Sequence, residues 1–333
     1  MKQRKAGAAR SEILAKLPLA CTNERAAVEF FEEQRWGTSP ACPRCGDTDV
    51  RMMLSKDGER NARFLWRCKG CKQQFTVKIG TIMEDSPIPM RHWAYAFYEA
   101  CKYKKGVSAK EIERQCNVTY KTALFMMHRI RFAMAPAVGS ESKLGGEGKT
   151  VEFDETYVGG KPRGKPNWAL APHRHGKAKP GPRADFKDRK TPVLAGVERG
   201  GNVKAYVVND VTPETLGSHL RQMVDTASVL NTDERRGYIT VGREFAAHET
   251  VNHHKAQWSN GDAYTNTVEG FFSLLKRQIL GTHHSVSRKH LGRYVAEATF
   301  KYNTRGLDDG QRTVKAIQAA DGKRLTYKDQ IKG

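Results

Sequence analysis

The 333-residue sequence holds no apolar run approaching the roughly 18–20 residues that a helical membrane span needs, so no membrane partner is expected. Its basic start, MKQRKAGAAR, is followed by no apolar stretch of roughly 7–15 residues and does not read as a secretory signal. Acidic residues are also short: 36 Asp and Glu face 57 Lys and Arg, a formal net charge of +21. Such an excess points to a polyanionic partner, nucleic acid first, and no basic amphipathic helix stands out to favour a membrane surface instead. Disorder is not expected either, because 38% hydrophobic residues and a chain of this length are enough for two or three globular domains.

Cysteine is sparse, and its placement is informative. Of seven cysteines, Cys42-Pro-Arg-Cys45 and Cys68-Lys-Gly-Cys71 form two CxxC units 22 residues apart. Two such tight turns bring four thiolates to one tetrahedral ion, so Cys42, Cys45, Cys68 and Cys71 are expected to hold one structural Zn²⁺ with no open catalytic position. A redox CxxC pair or chance spacing is the alternative. Cys21, Cys101 and Cys116 read as small buried hydrophobes.

The pattern along the chain predicts an N-terminal helical segment (1–36) with one helix capped by Asn23, then a zinc ribbon (37–80). A helical region follows (81–135), in which Pro87 and Pro89 open a helix and Trp93, Ala96, Phe97 and Ala100 form its buried stripe. Ser108 with Glu111 reads as a capping box, Asn117 as a stop and Thr119 as a new start, the outline of a helix-turn-helix. Its second helix would turn Tyr120, Lys121 and His128 or Arg129 outward to DNA, although an ordinary helical hairpin has the same outline. Residues 136–148 read as a linker. The rest predicts an α/β domain (149–305) and a C-terminal tail (306–333), with strands at Lys149–Val158, Thr191–Glu198, Asn202–Val208 and Ser228–Asp233. Helices are expected at Thr212–Thr226 and at about 266–280 and 287–303, with an irregular stretch after Asp233. Residues 159–190 carry ten Lys/Arg against two Asp and ten Gly or Pro, a basic loop whose Lys161, Arg163, Lys165 and Arg174 are candidates for DNA contact. His173 and His175 in that loop suit phosphate or solvent better than a metal.

Three carboxylates stand out. Asp154 lies on the strand face opposite Val151 and Phe153, Asp233 ends a strand, and Glu269 follows it after a gap of 35 residues. On a helix, Val268, Phe271, Phe272, Leu275 and Ile279 form one apolar stripe, leaving Glu269 and Lys276 in line along its edge, two turns apart. Oxygen ligands of this kind suit Mg²⁺ or Mn²⁺, and two such ions can drive in-line phosphoryl displacement, with Lys276 holding a substrate phosphate. Each acid also has a structural alternative: Asn266 and Glu269 as a capping box, Asp233 as a strand-ending turn residue. Asp154 is hardest to explain structurally, because a mid-strand Asp disfavours β structure and Glu152 adds like charge to its face.

Taken together, Asp154 in FDETYVGG, Asp233 in NTDE, and Glu269 with Lys276 in NTVEGFFSLLKR resemble the DDE transposases of bacterial insertion sequences. More narrowly, the ribbon, the helix-turn-helix and the later GTHHSVSRKHLGRYV and FKYN segments resemble the zinc-ribbon, ISXO2-like group, over about residues 20–305. The resemblance implies an RNase H-like catalytic core, Asp154, Asp233 and Glu269 as ligands of two Mg²⁺, and Lys276 with Arg277 at the substrate DNA. Asn266, His253 and His254 match the group's pattern in less defined roles. The implied function is binding of terminal inverted repeats, cleavage of the element ends and 3′-hydroxyl strand transfer into target DNA. A homodimer or higher oligomer on DNA, in the bacterial cytoplasm at the nucleoid, is expected with it. The alternatives are an inactive transposase-derived regulator and an RNase H-like nuclease of branched DNA.

Overall fold

The computed structural model describes residues 12–136, 142–159, 190–251 and 264–331. The chain divides into two compact units, Met1–Ser140 with Ala296–Gly333, and Glu141–Val295.

The first unit begins with two helices where one is expected from sequence, α1 (Glu12–Thr22) and α2 (Glu24–Trp36). Asn23 separates them. Its backbone is extended (φ −111°, ψ 126°) and its side chain accepts the Ala26 N–H at 3.0 Å, which a residue inside a helix cannot do. Next comes an antiparallel sheet of β1 (Val50–Met52), β2 (Trp66–Cys68) and β3 (Gln74–Phe75), in that order. Helix α3 (Met90–Lys102) starts after Pro89, and Trp93, Ala96, Phe97 and Ala100 are fully buried, as their spacing predicts. Its first N–H groups are satisfied from outside the helix: the Glu24 carboxylate accepts from Met90 N at 2.7 Å and Arg91 N at 3.0 Å.

Helices α4 (Ala109–Cys116) and α5 (Tyr120–Met134) are joined by Asn117–Thr119. Asn117 takes the left-handed conformation (φ 49°, ψ 49°), and Thr119 accepts the Thr122 N–H. Ser108 does accept the Glu111 N–H, but the Glu111 carboxylate turns to Arg114 and Gln115, so the capping is one-sided. Residues 306–333, set apart as a tail on sequence, contain helices Asp309–Gln318 and Tyr327–Ile331, and Ala316, Ile317 and Ala320 join the core of this unit. The signal was present in Asp308 and Gln311, which form a reciprocal capping box.

Within the same core, Arg131 Nε donates to Glu297 Oε2 at 2.7 Å with both side chains almost fully buried, and Lys301 Nζ donates to Oε1 at 2.6 Å. Removing one partner of a buried pair strands the other charge away from water. Glu297→Ala is therefore expected to cost about 3–5 kcal/mol, read as a clear fall in Tm, whereas an unchanged melting curve would rule out this pair as a keystone of the unit.

The second unit is built on a five-stranded sheet: β4 (Thr150–Val158), β5 (Thr191–Glu198), β6 (Val203–Val207), β7 (Val229–Asp233) and β8 (Ala247–Val251). The order is β6-β5-β4-β7-β8, with β4, β5 and β6 antiparallel and β7 and β8 parallel to β4. Helices α6 (Pro213–Met223) and α7 (Arg236–Gly242) flank β7 in sequence, and α8 (Asn266–Gln278) follows β8. The stretch after Asp233, expected to be irregular, thus contains α7 and β8; alternation of apolar residues in AHETV is too weak to announce an edge strand. One sheet face carries Val151, Phe153 and Leu230 into a core with Leu216, Leu220, Met223 and Tyr238 of α6 and α7. The opposite face packs against α8, and β5, covered on both sides, is buried at every position but its last.

The expected linker is partly structured. Leu144 is buried and bridges to Val224, and Gly145 lies at φ +86°, where an added Cβ would sit 2.0 Å from Ser228 Oγ. Glycine is required there because the chain must pass close against Ser228 and Val151, at the start of the inner strands β7 and β4, in a left-handed conformation.

Candidate active site

Topology places two of the acids. After β4 the chain runs outward through β5 and β6, then crosses to β7 on the other side of β4. That reversal makes the β4–β7 seam a switch point, where open α/β sheets present their ligand sites beyond the carboxyl ends of the strands. Pairing runs Thr150–Val229, Val151–Leu230 and Glu152–Asn231, and then stops. The same offset continued two residues sets Asp154 level with Asp233, where the strands no longer pair. Both are half-buried and lie on the face that meets α8.

The third acid comes from α8. Val268, Phe271, Phe272, Leu275 and Ile279 are buried, whereas Glu269 and Lys276 are exposed, as the 100° helical arc predicts. Burying these five side chains stabilises the docked helix by about 1.5–3 kcal/mol each, far more than the roughly 1 kcal/mol of a single cap. The alternative reading of Asn266 and Glu269 as a capping box is not realised: Asn266 is the first helical residue, and Thr265 at the N-cap makes no side-chain cap. Glu152 takes that role instead. Its fully buried carboxylate accepts the N–H groups of Thr267 at 2.7 Å and Val268 at 3.1 Å, so it does not stand as a like charge beside Asp154 in open groove.

Electrostatics bind the constellation together. The Asp154 carboxyl is pushed up from 3.8 to about 8, first by burial, then by Asp233 and Glu269, while Lys276 and Arg235 oppose the shift. Two further acids and two cations thus act on Asp154. Asp233 and Glu269 disfavour the charged form of Asp154, a repulsion that an oxygen-seeking cation such as Mg²⁺ would relieve, and carboxylate oxygens are the donors such an ion takes. Sequence reasoning missed Arg235, Tyr238 and Glu155. Tyr238 and Arg235 both donate to the Glu155 carboxylate, and the Arg235 N–H donates to Asp233 Oδ1 at 3.1 Å. The Tyr238 phenol is held well above its ordinary value by burial, with Asp154 and Asp233 adding to it, so it remains a donor.

In the ribbon, Cys42 Sγ lies 3.7 Å from Cys71 Sγ, and Cys45 Sγ lies 3.6 Å from Cys68 Sγ. Zn–S bonds of about 2.3 Å give a tetrahedral edge of about 3.8 Å, which these spacings match. All four sulfurs lie within 4.8 Å of one another, the one cluster of candidate metal ligands this tight among the described residues. Burial opposes ionisation of Cys42, but the backbone N–H groups of Arg44 and Cys45 outweigh it and bring the thiol down to about 7. Cys68 accepts the Cys71 N–H, yet burial and the neighbouring sulfurs of Cys45 and Cys71 push it up to about 12. A structural Zn²⁺ at the centre of the four sulfurs would hold Cys68 as a thiolate against that burial.

The remaining sequence-derived sites divide. Tyr120 and Lys121 are exposed at the start of α5, and Arg277 is exposed with its guanidinium on Ser273. Arg129 does not face outward, and neither does His128; both are buried. The Arg129 guanidinium donates to the carbonyls of Leu325 at 3.1 Å and Glu84 at 3.2 Å and stacks on Phe125, contacts made by segments distant in sequence that no helical wheel reveals. Lys161, Arg163, Lys165, Arg174, His253 and His254 lie outside the described residues.

The sheet order, with acids on the adjacent inner strands β4 and β7 and on the helix packed against β4 and β5, is that of an RNase H-like core, preceded in sequence by a zinc ribbon. Residues 143–303 match the model of the ISXO2-like transposase domain, and residues 22–74 match that of the transposase zinc-ribbon domain. The chain thus carries an ISXO2-like transposase domain and, ahead of it in sequence, a transposase zinc-ribbon domain. It is similar to a protein in transposable element ISH50 of Halobacterium salinarum, 26% identical over 280 residues, covering 82% of this chain and 88% of that one. A cryo-EM structure of a simian T-cell lymphotropic virus intasome in complex with PP2A regulatory subunit B56 gamma also matches, at 12% identity and TM-score 0.27. That match covers 56% of this chain and 63% of the other, an overlap too loose to carry an argument. Among the described residues no helix is long and apolar enough to cross a membrane.

Proposed function

We propose that the protein binds the terminal inverted repeats of its insertion sequence, cleaves the phosphodiester at the element ends and joins the freed 3′-hydroxyl to target DNA. The observation that supports this reading is that Asp154 and Asp233 fall level on β4 and β7 at the switch point, with Asp154 raised by Asp233 and Glu269 and opposed by Lys276. Asp154, Asp233 and Glu269 would hold two Mg²⁺ or Mn²⁺ ions, which when bound supply Lewis-acid stabilisation of the attacking and leaving oxygens. Lys276 and Arg235 flank the acids and hold substrate phosphates by charge, Lys276 as a mobile point charge and Arg235 fixed through Glu155. In the first step a water oxygen attacks phosphorus, the P–O3′ bond breaks, and the element strand is left with a 3′-hydroxyl. In the second, that hydroxyl attacks a target phosphodiester, joins its 5′-phosphate and releases a target 3′-hydroxyl. Neither step needs a covalent protein intermediate.

The ribbon and the α4–α5 helix-turn-helix read the repeats, with Tyr120 and Lys121 toward the groove. The net charge of +21 suits two element ends plus a target, so affinity should fall steeply with salt. Synapsis of two ends makes the working form a dimer or higher oligomer, acting on cellular DNA in the cytoplasm. The deciding experiment mixes purified protein, labelled DNA from the element's flanks, plasmid target and Mg²⁺ or Mn²⁺, with Asp233→Asn alongside. Joined products that vanish in the variant support the reading. Tight binding to the flanks without cleavage points to a regulator, and cutting of branched DNA without joining points to a nuclease.

A further inference from the structure

We propose that Glu152, together with Arg199, is a positioning residue that sets where Glu269 stands relative to Asp154. The inference rests on the reading of Asp154, Asp233 and Glu269 as the carboxylates that hold the divalent ions. Glu152 is fully buried on β4, two residues before Asp154. Its Oε2 accepts the N–H groups of Thr267 (2.7 Å) and Val268 (3.1 Å), and its Oε1 accepts Thr267 Oγ1–H (2.8 Å) and Arg199 Nε–H (2.9 Å). Arg199 in turn donates to the Tyr264 carbonyl at 3.1 Å, and its guanidinium lies 3.5 Å from the Tyr264 ring centroid. One carboxylate thus spends its full acceptor capacity on the approach and first turn of α8 and on the cation that also holds that approach.

These bonds do something the apolar stripe cannot. Packing of Val268, Phe271 and Leu275 is strong but non-directional, and tolerates a roll or slide of the helix by a fraction of a turn. Hydrogen bonds to two successive N–H groups fix both the axial position and the rotation of the first turn. Glu269 is the next residue, and with planar peptides and 100° per residue its Cβ direction follows from theirs. A local Ser or Asn cap would satisfy the same N–H groups while tying the helix only to itself. A carboxylate on the Asp154 strand instead references the third acid directly to the first.

The test compares Glu152→Gln, Arg199→Lys and Thr267→Val with wild type and Glu269→Gln, using Mn²⁺ as the probe. Mn²⁺ binding is followed by electron paramagnetic resonance without DNA, and flank-DNA binding, cleavage rate and Tm are measured beside it. Supporting ligands that orient metal-holding groups typically carry 10–100-fold in metal affinity or activity. Glu152→Gln is expected to raise the Mn²⁺ half-saturation about tenfold toward that of Glu269→Gln, and to slow cleavage about 10–100-fold, with flank-DNA affinity unchanged. A residue that only stabilised the fold would lower Tm without moving Mn²⁺ half-saturation. Should Glu152→Gln fail to fold, Thr267→Val, which removes one hydroxyl and keeps both N–H groups, carries the test with a smaller shift in the same direction. Mn²⁺ curves superimposable on wild type in the folded variants would overturn the proposal alone. No saturable Mn²⁺ site in wild type would overturn the metal reading and the proposal with it.

Discussion

Stripping the zinc with a strong chelator, or replacing Cys68 by Ser, is expected to unfold the ribbon outright. Its sheet has strands of three, three and two residues, too short to persist on backbone bonds alone. Its own core is equally small: Cys42, Cys68 and Phe75 are buried, with Trp36, Trp66, Val50, Cys71 and Ile79 packed partly against them. A segment of this size ordinarily needs a metal or disulfides to fold. Structural zinc contributes about 10–16 kcal/mol in isolated fingers, more than the net stability of most domains. The loss should spread to α2, because buried Glu32 accepts from both Arg60 (2.5 Å) and Trp66 Nε1 (2.7 Å) and would lose both partners. Trp36 and Trp66, ring centroids 6.0 Å apart, are built-in reporters. Release of one zinc per chain should coincide with a red shift of tryptophan emission and protease cleavage between residues 42 and 75. An emission spectrum and protease resistance unchanged in zinc-free protein would sink this account.

What could be read in advance follows a physical line. Helix stripes, caps and CxxC turns are set by residues close in sequence, so the α3 stripe, the Asn117 stop and the four-thiol cluster were legible. Asp154 was legible as a mid-strand acid that local structure did not explain; Asp233 and Glu269, which a strand-ending turn and a helix cap could also explain, were legible only with the resemblance of their segments. The partners that hold them were not. Glu152 looked like a like charge beside Asp154, because only the fold shows that its acceptors' donors lie 115 and 116 residues away in Thr267 and Val268. Arg129 looked like a DNA contact for the same reason in reverse: a cation on a helix reads as exposed until distant carbonyls, here those of Leu325 and Glu84, are known to reach it. Strand β8 was missed because its exposure pattern offers little alternation to detect.

Replacing Asp154 by Asn is expected to abolish cleavage and, at the same time, to make the metal-free protein more stable. Removing a metal-holding carboxylate forfeits several kcal/mol of transition-state stabilisation, about 10³-fold in rate. The stability gain comes from the same charge. Burial first, then Asp233 and Glu269, raise the Asp154 carboxyl to about 8, against 3.8 ordinarily, so the folded state disfavours its ionised form. The sign follows from linkage: a carboxyl raised on folding supports stability fully below its unfolded value near 4 and withdraws that support as pH rises toward 8. Metal-free wild type should therefore lose stability across that window, and Asp154→Asn should show a flatter profile. With Lys276 and Arg235 nearby and the groove open to water, about 1–2 kcal/mol of the effect is expected near neutral pH, a rise in Tm of roughly 3–6 °C. Added Mn²⁺ should reverse the order, raising the Tm of wild type and leaving the variant behind. A variant that is both inactive and less stable would mark Asp154 as a strand residue that the fold needs. One that is stabilised yet still cuts would remove it from the chemistry. Only inactivity joined to greater metal-free stability is what a carboxylate held in place against repulsion, for the sake of a cation, should give.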